Sequence, residues 1–231
     1  MSLQVQNLKA GYGNKIVISE VSFSLGPGEI VAFFGHNGAG KSTTLKAIVG
    51  LIRCIEGAVW MDGERIEGQS VADRVARGLR LLPEGQGVFP DLSVAENLDV
   101  VAAQNCDHSS NIKIEDVLHL FPVLAERRNS LAGTMSGGQQ RMLAVGLAIL
   151  GSPRCLLLEE PSVGLQPDVV EHLFERVHSI CKEQEMCAVI IEHKVAATMK
   201  IADHVLIMNN GRIVFDGLPA EARVSNFWQY F

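Results

Sequence analysis

The chain has 231 residues, the size of one large domain or of one domain carrying an inserted lobe, so a second independent fold at either end is not expected. Its 26 acidic and 20 basic residues give a formal net charge of −6, with the acids spread rather than blocked. That excludes the basic stripe a nucleic-acid binder needs, and no nucleic-acid partner is expected. Hydrophobic residues make up 47% of the chain and Gly outnumbers Pro 22 to 8, a balance that supports a packed core and excludes disorder as the dominant state.

The longest apolar run, residues 142–150, spans nine residues, where a membrane-crossing helix needs roughly 20. The opening stretch MSLQVQNLKA has no apolar core behind a basic head, so no secretory signal is expected and the cytoplasm is the expected compartment. Five cysteines (Cys54, Cys106, Cys155, Cys181, Cys187) form no CxxC pair, which predicts reduced thiols filling gaps rather than a disulfide framework or a zinc knuckle.

Along the chain, Leu3 and Val5, then Val21, Phe23 and Leu25, alternate with polar residues, the period of strands with one wet face, and predict an antiparallel sheet at the start. Residues 30–34 are wholly apolar, as are most of 79–82, 155–158 and 187–191, the pattern of strands buried on both faces. Directly after 30–34 comes Gly35-His36-Asn37-Gly38-Ala39-Gly40-Lys41-Ser42-Thr43, which matches G-x-x-x-x-G-K-[ST] in the strand-then-helix context that gives the pattern its meaning. Glycines let backbone N–H groups turn inward around an anion, and a helix starting near Lys41 points its positive end at the same place. Lys41 is placed to reach the β and γ phosphates of a nucleoside triphosphate, and the Ser42 hydroxyl to ligate Mg²⁺.

From 89 to 153 no β-rich run occurs, and 94–103, 114–120 and 139–150 read as helices, which predicts a helical lobe inserted into an α/β core. Residues 167–181 follow with Pro167 in the first turn and Val170, Leu173, Val177 and Ile180 at helical spacing. The last strands, 205–208 and 212–215, flank Asn209-Asn210-Gly211, a hairpin turn signal. Buried strands alternating with helices imply a parallel sheet.

Beyond the phosphate loop, Thr134-Met135-Ser136-Gly137-Gly138-Gln139-Gln140-Arg141 resembles the signature motif of ABC ATPases, and Cys155 to Ser162, with Glu159-Glu160-Pro161, resembles their Walker B strand. Pro83-Glu84 lies where that family's glutamine loop belongs, Ser162-Val163-Gly164-Leu165 resembles its D-loop, His193 its switch histidine, and Tyr12 the aromatic that stacks on adenine. The resemblance implies a P-loop NTPase core of RecA-like α/β type with an N-terminal antiparallel β-subdomain and an inserted helical subdomain. The whole of 1–231 is then one ABC ATPase domain, with 1–88 and 154–231 forming the nucleotide-binding core and 89–153 the helical signature subdomain. It implies ATP and Mg²⁺ as ligands, Glu160 as the base for the attacking water, His193 as a contact to the γ-phosphate, and Ser42, Glu84 and Glu159 at the metal. Residues 35–43, Tyr12, and the anion site of Ser136, Gly137, Gly138 and Gln139 would bind nucleotide, the last serving the nucleotide of a second ATPase subunit in a homo- or heterodimer. A membrane permease is the further partner implied, with the chain peripheral on the inner face of the cell membrane.

Two positions depart from the family pattern. Glu159 stands where the family has Asp; one extra methylene moves the carboxylate by roughly 1.5 Å, while Mg²⁺ tolerates little error at about 2.1 Å, so hydrolysis is expected to be slower rather than lost. Glu84 stands where most relatives have Gln, with Gln86 two residues on. Pro83-Glu84-Gly85, Val88-Phe89-Pro90, Val94-Ala95-Glu96-Asn97-Leu98 and Leu120-Phe121-Pro122 resemble the shorter ATPase subunit of branched-chain amino acid importers. An energising importer subunit is therefore the leading reading. A catalytically degenerate nucleotide-gated clamp is the alternative, and a soluble ABC ATPase acting on DNA or the ribosome is disfavoured because neither heptads nor a tandem repeat is present.

Overall fold

The computed structural model describes residues 3–85, 87–104 and 112–224. Cys106 and Gln86 lie outside the described residues; the other four cysteines are free thiols, as their spacing predicted. The chain opens with β1 (Leu3–Tyr12) and β2 (Lys15–Leu25), paired antiparallel from Leu3 opposite Leu25 to Tyr12 opposite Lys15. The period-two residues Leu3, Val5, Val21 and Leu25 all point into the core. Next come β3 (Ile30–Phe34), α1 (Lys41–Val49), β4 (Cys54–Met61) and the short β5 (Glu64–Arg65). β4 pairs with the free side of β1, giving a four-stranded sheet in the order β2-β1-β4-β5. The sequence Cys-Ile-Glu-Gly-Ala-Val-Trp-Met of β4 lacks alternation at its start, where the register slips against β1, so periodicity did not reveal this strand.

After α2 (Val71–Ala76) and β6 (Leu79–Leu82) come, among the described residues, the α-helices α3 (Val94–Gln104), α4 (Ile114–Leu120), α5 (Pro122–Glu126) and α6 (Gly137–Ile149), with a 3-10 turn at Ala132–Thr134 before α6. Then β7 (Cys155–Glu159), α7 (Pro167–Glu183), β8 (Cys187–Ile191), α8 (Val195–Ile201), β9 (His204–Asn209), β10 (Arg212–Gly217) and α9 (Pro219–Val224) complete the order. The second sheet runs β10-β9-β3-β8-β7-β6; β9, β3, β8, β7 and β6 are mutually parallel, and β10 closes one edge antiparallel. Asn210 and Gly211 make the β9–β10 turn with φ of 45° and 76°, the left-handed pair that an Asn-Gly turn supplies.

β3, β7 and β8 are buried along their whole length because both faces are covered. Val31, Phe33, Leu157, Val189 and Leu206 pack with α1 and the antiparallel sheet, while Ile30, Leu156, Leu158, Ala188 and Ile190 pack with α6 and α7. The expectation that 79–82 is buried on both faces needs correction: Leu79 and Leu82 are buried, but Arg80 and Leu81 are only partly so, because β6 has a strand neighbour on one side alone. Among the described residues no helix is long and apolar enough to cross a membrane.

α6 is buried on nearly every side, from Arg141 through Leu143 to Ile149, which explains its apolar sequence. Gly146 lets α4 come close: a methyl group there would stand 2.5 Å from Cγ1 of Val117, and Val117 is fully buried and stiff about χ1. Gly146→Ala should cost about 1–3 kcal/mol in denaturant unfolding. Gly68→Ala, at a glycine with open space around it, should change stability by less than about 0.5 kcal/mol.

Candidate functional site

The parallel strands end together. Phe33 is level with Ile191, Ile191 with Glu159, and Leu158 with Leu82, so the segments leaving β3, β8, β7 and β6 emerge at one edge of the sheet. Ligands of open parallel sheets sit at this edge. A cavity of about 310 Å³ lies there, lined by Asn37, Gly38, Gly40, Lys41, Ser42 and Thr43 of the loop after β3, together with Val17, Glu84, Glu160, Ile191 and His193.

Two glycines shape the loop. A methyl group at Gly35 (φ 144°) would collide with the carbonyl oxygen of Met208 on the neighbouring strand, and Gly40 (φ 114°), the residue before α1, lies 2.7 Å, measured from an added methyl, from Cγ2 of Ile18. Lys41 is buried, and its Nζ donates to the carbonyls of Gly35 at 2.6 Å and His36 at 3.0 Å. Burial pulls its ammonium pKa below the usual value while the Glu160 carboxylate opposes that pull, which places the two charges within each other's field. His36 turns away from the cavity, with Nδ1 against the Asn37 carbonyl at 2.8 Å and Nε2 against Asn209 Oδ1 at 3.0 Å, and Ala39 is fully buried.

At the end of β7, Glu159 is 2% exposed; its Oε2 accepts from the Glu84 amide at 3.0 Å, and its Oε1 is buried with no hydrogen-bond partner. Glu160 has a φ of 45°, a left-handed conformation that costs an L-residue roughly 1–2 kcal/mol. That backbone directs its carboxylate into the cavity, where Oε1 accepts from Nε2 of His193 at 3.0 Å. Arg141, from α6, is buried and donates to the carbonyls of Pro83, Gly85, Glu159 and Glu160. Burial lowers its pKa; the carboxylates of Glu192, Glu160, Glu159 and Glu84 oppose that, and a guanidinium stays charged.

Sequence reasoning missed Glu192. It is 3% exposed, and its carboxylate accepts from the amides of Ser162 at 2.8 Å, His193 at 3.1 Å and Lys194 at 3.4 Å. One buried carboxylate thus ties the turn after β7 to the turn after β8. Lys194 adds bonds from Nζ to the carbonyls of Ser162 and Leu165. The available signal was an acid directly following a wholly apolar strand. Val17 of β2 was also missed, since nothing in the alternation of that strand distinguishes it.

Ser136 caps α6: its hydroxyl accepts from the Gln139 amide at 3.3 Å, and its own amide donates to Gln139 Oε1 at 3.1 Å. Ser136 and Gly137 are exposed, and neither these nor Gly138 and Gln139 line the cavity at Lys41. A methyl at Gly138 would stand 2.9 Å from the Gly164 carbonyl, so the tip of α6 rests on the turn 162–165. Tyr12 stands at the β1–β2 turn, 53% exposed, and is not part of the cavity wall. A larger groove of about 1190 Å³ lies at the opposite edge of the sheet, but its arginines are engaged, Arg77 with Glu64, Arg154 with Asp62 and Arg80 with the Val75 carbonyl.

Residues 18–163 match the family model described as ABC transporter. The chain is 36% identical over 212 residues to the high-affinity branched-chain amino acid transport ATP-binding protein BraG of Pseudomonas aeruginosa, covering 92% of this chain and 91% of that one. It is 30% identical over 222 residues to the lipopolysaccharide export system ATP-binding protein LptB of Haemophilus influenzae, covering 95% and 91%. A solved structure of an ATP-binding subunit of an ABC transporter superposes with a TM-score of 0.84 at 28% identity, over all of this chain and 95% of that one.

Replacing Glu192 by Leu would leave three amide donors without their acceptor, one of them in a buried turn. Glu192→Leu should cost about 2–4 kcal/mol in equilibrium unfolding; a change under about 0.5 kcal/mol would remove its structural role.

Proposed function

The chain belongs to the ABC transporter family, as an ATP-hydrolysing subunit, and from that premise we propose that it drives import of branched-chain or related amino acids. The observation that carries the solute class is the match to BraG, at higher identity than the match to LptB. The motifs around Glu84 and Phe89 noted in the sequence favour the same reading. In this reading 89–153 is a helical signature subdomain between the core segments 1–88 and 154–231. Its face bearing the half-exposed Phe89 and Leu131 takes a cytoplasmic helix of the permease, and the chain sits on the inner face of the cell membrane.

The triphosphate lies in the cradle of residues 35–43, where the amides after Gly35 and the N-terminus of α1 face it and Lys41 Nζ turns from the Gly35 and His36 carbonyls to the β and γ phosphates. Tyr12 stacks on the adenine at the open side. Glu160 takes the proton of the attacking water, and His193, already bonded to it, holds the carboxylate's orientation and contacts the γ-phosphate. Ser42, Glu84 and Glu159 would hold magnesium; the donor set is oxygen only, Ser42 and Glu84 line the cavity, and Glu159, outside the cavity wall, has an unpartnered Oε1 that fits that role. Magnesium, when bound, neutralises phosphate charge and orients the γ-phosphoryl group. Oε2 of Glu159 accepts from the Glu84 amide, and the side chain's extra methylene would make turnover slower rather than abolish it.

The anion site at Ser136 and Gly137 is exposed and does not line the chain's own cavity, which supports its use on the nucleotide of a second, facing ATPase subunit. ATP then holds the two subunits together, and hydrolysis releases them. Glu160→Gln should lower steady-state ATP hydrolysis by about a hundredfold or more while preserving ATP binding and promoting ATP-dependent dimerisation. Undiminished phosphate release would remove Glu160 from the chemistry. For the solute, membrane vesicles holding the chain with its co-purified permease should take up leucine in an ATP-dependent manner; ATP-dependent extraction of a lipid glycoconjugate without leucine uptake would replace this reading with export.

A further inference from the structure

Arg141 belongs to none of the phosphate, metal or proton-transfer roles above, yet it is 4% exposed and sits at the junction of three segments. Its five N–H groups are all engaged. Nε donates to the Glu160 carbonyl at 3.1 Å, Nη1 to the carbonyls of Pro83 at 3.0 Å and Gly85 at 2.9 Å, and Nη2 to the carbonyls of Glu160 at 2.8 Å and Glu159. None of these bonds goes to a carboxylate, although the charges of Glu84, Glu159, Glu160 and Glu192 all act on the guanidinium. A buried cation partnered only by backbone oxygens fixes backbone rather than neutralising a side chain.

Two of the five bonds converge on the carbonyl of Glu160, whose φ is 45°. A non-glycine residue keeps that conformation only where its surroundings over-determine it. The amide of Glu160 is tied to the Ile191 carbonyl at 2.8 Å, and Arg141 ties the other end of the residue. With both peptide groups held, the Cα–Cβ direction is set, and the carboxylate meets His193 Nε2 at 3.0 Å. We infer that Arg141 is a positioning residue for hydrolysis: it locks Glu160 in the left-handed conformation that presents its carboxylate to the cavity. The inference rests on the reading of Glu160 as the proton acceptor. A lysine there has three donors on one nitrogen and cannot span the carbonyls of 83–85 and 159–160 at once.

The test uses the full chain as Arg141→Lys, Glu160→Gln and the double variant, with hydrolysis followed to low rates in single-turnover assays. Arg141→Lys should lower kcat tenfold or more, because a small displacement of a catalytic group is costly, while KM and the equilibrium affinity for ATP change by less than about twofold. The double variant should hydrolyse no slower than Glu160→Gln alone, since Arg141 acts through Glu160. A kcat within twofold of the parent, a parallel loss of ATP affinity, or a further tenfold loss in the double variant would each overturn the inference. If Arg141→Lys does not stay folded at assay temperature, Arg141→Gln is measured in its place at a temperature where circular dichroism shows a folded chain, with the same outcomes deciding. Parent-like turnover of Glu160→Gln is a separate result that removes the reading of Glu160 itself.

Discussion

Phe33 lies level with Ile191, and Ile191 with Glu159, in a parallel register that fixes what the molecule can do. From that row the three strands run out together into the glycine loop, into Glu192-His193 and into Glu160. A slip of one residue in β7 would turn its buried leucines to the wrong faces and carry Glu160 away from the cavity. The register is enforced by two packed layers, α1 with the antiparallel sheet on one side and α6 with α7 on the other, so each apolar residue of β3, β7 and β8 has only one face available to it. Hydrophobic burial, which has no chemistry of its own, therefore aligns the groups that do.

The aligned edge is strongly acidic. Glu84, Glu159, Glu160 and Glu192 gather there against Lys41 and Arg141. Their tasks are separated by what each oxygen touches. Glu192 is spent on three amides, Glu159 gives one oxygen to the Glu84 amide, and Glu160 is bonded through its carboxylate to His193 alone among the described side chains. The cations are divided in the same way: Lys41 is bonded to its own loop at the cavity wall, while Arg141 is committed to backbone on the far side of the same acids. Such an edge has a surplus of negative charge, and a polyphosphate with its metal, itself net negative, adds to it, so the site relies on Lys41 and on oriented amides to hold the phosphates.

Much of this was legible in the sequence. The runs 30–34 and 187–191 coincide with β3 and β8 because residues covered on both faces leave an unbroken apolar record, and the phosphate loop was evident because its glycines answer a backbone need, seen at Gly35 against Met208. β4 was not legible, since its own sequence does not alternate at its start, where the register against β1 slips, and β6 read as more buried than it is because an edge position leaves no mark on four residues. Arg141 and Glu192 illustrate a deeper limit. Their roles arise from long-range hydrogen bonds to backbone carbonyls and amides, whose positions depend on the finished fold and not on the identity of the residues that carry them. Tyr12 and the tip of α6 were found by resemblance alone, and the structure places both outside the cavity wall of their own chain.

The central claim is that the edge of the parallel sheet at Lys41 grips the phosphates of ATP. Calorimetric titration of ATP with magnesium into the purified chain and into its Lys41→Ala variant, at the same ionic strength, tests it most directly. The account predicts saturable binding at one site per chain that weakens tenfold or more when the lysine is removed, with the fold intact by circular dichroism. Equal affinity in the two proteins would contradict it.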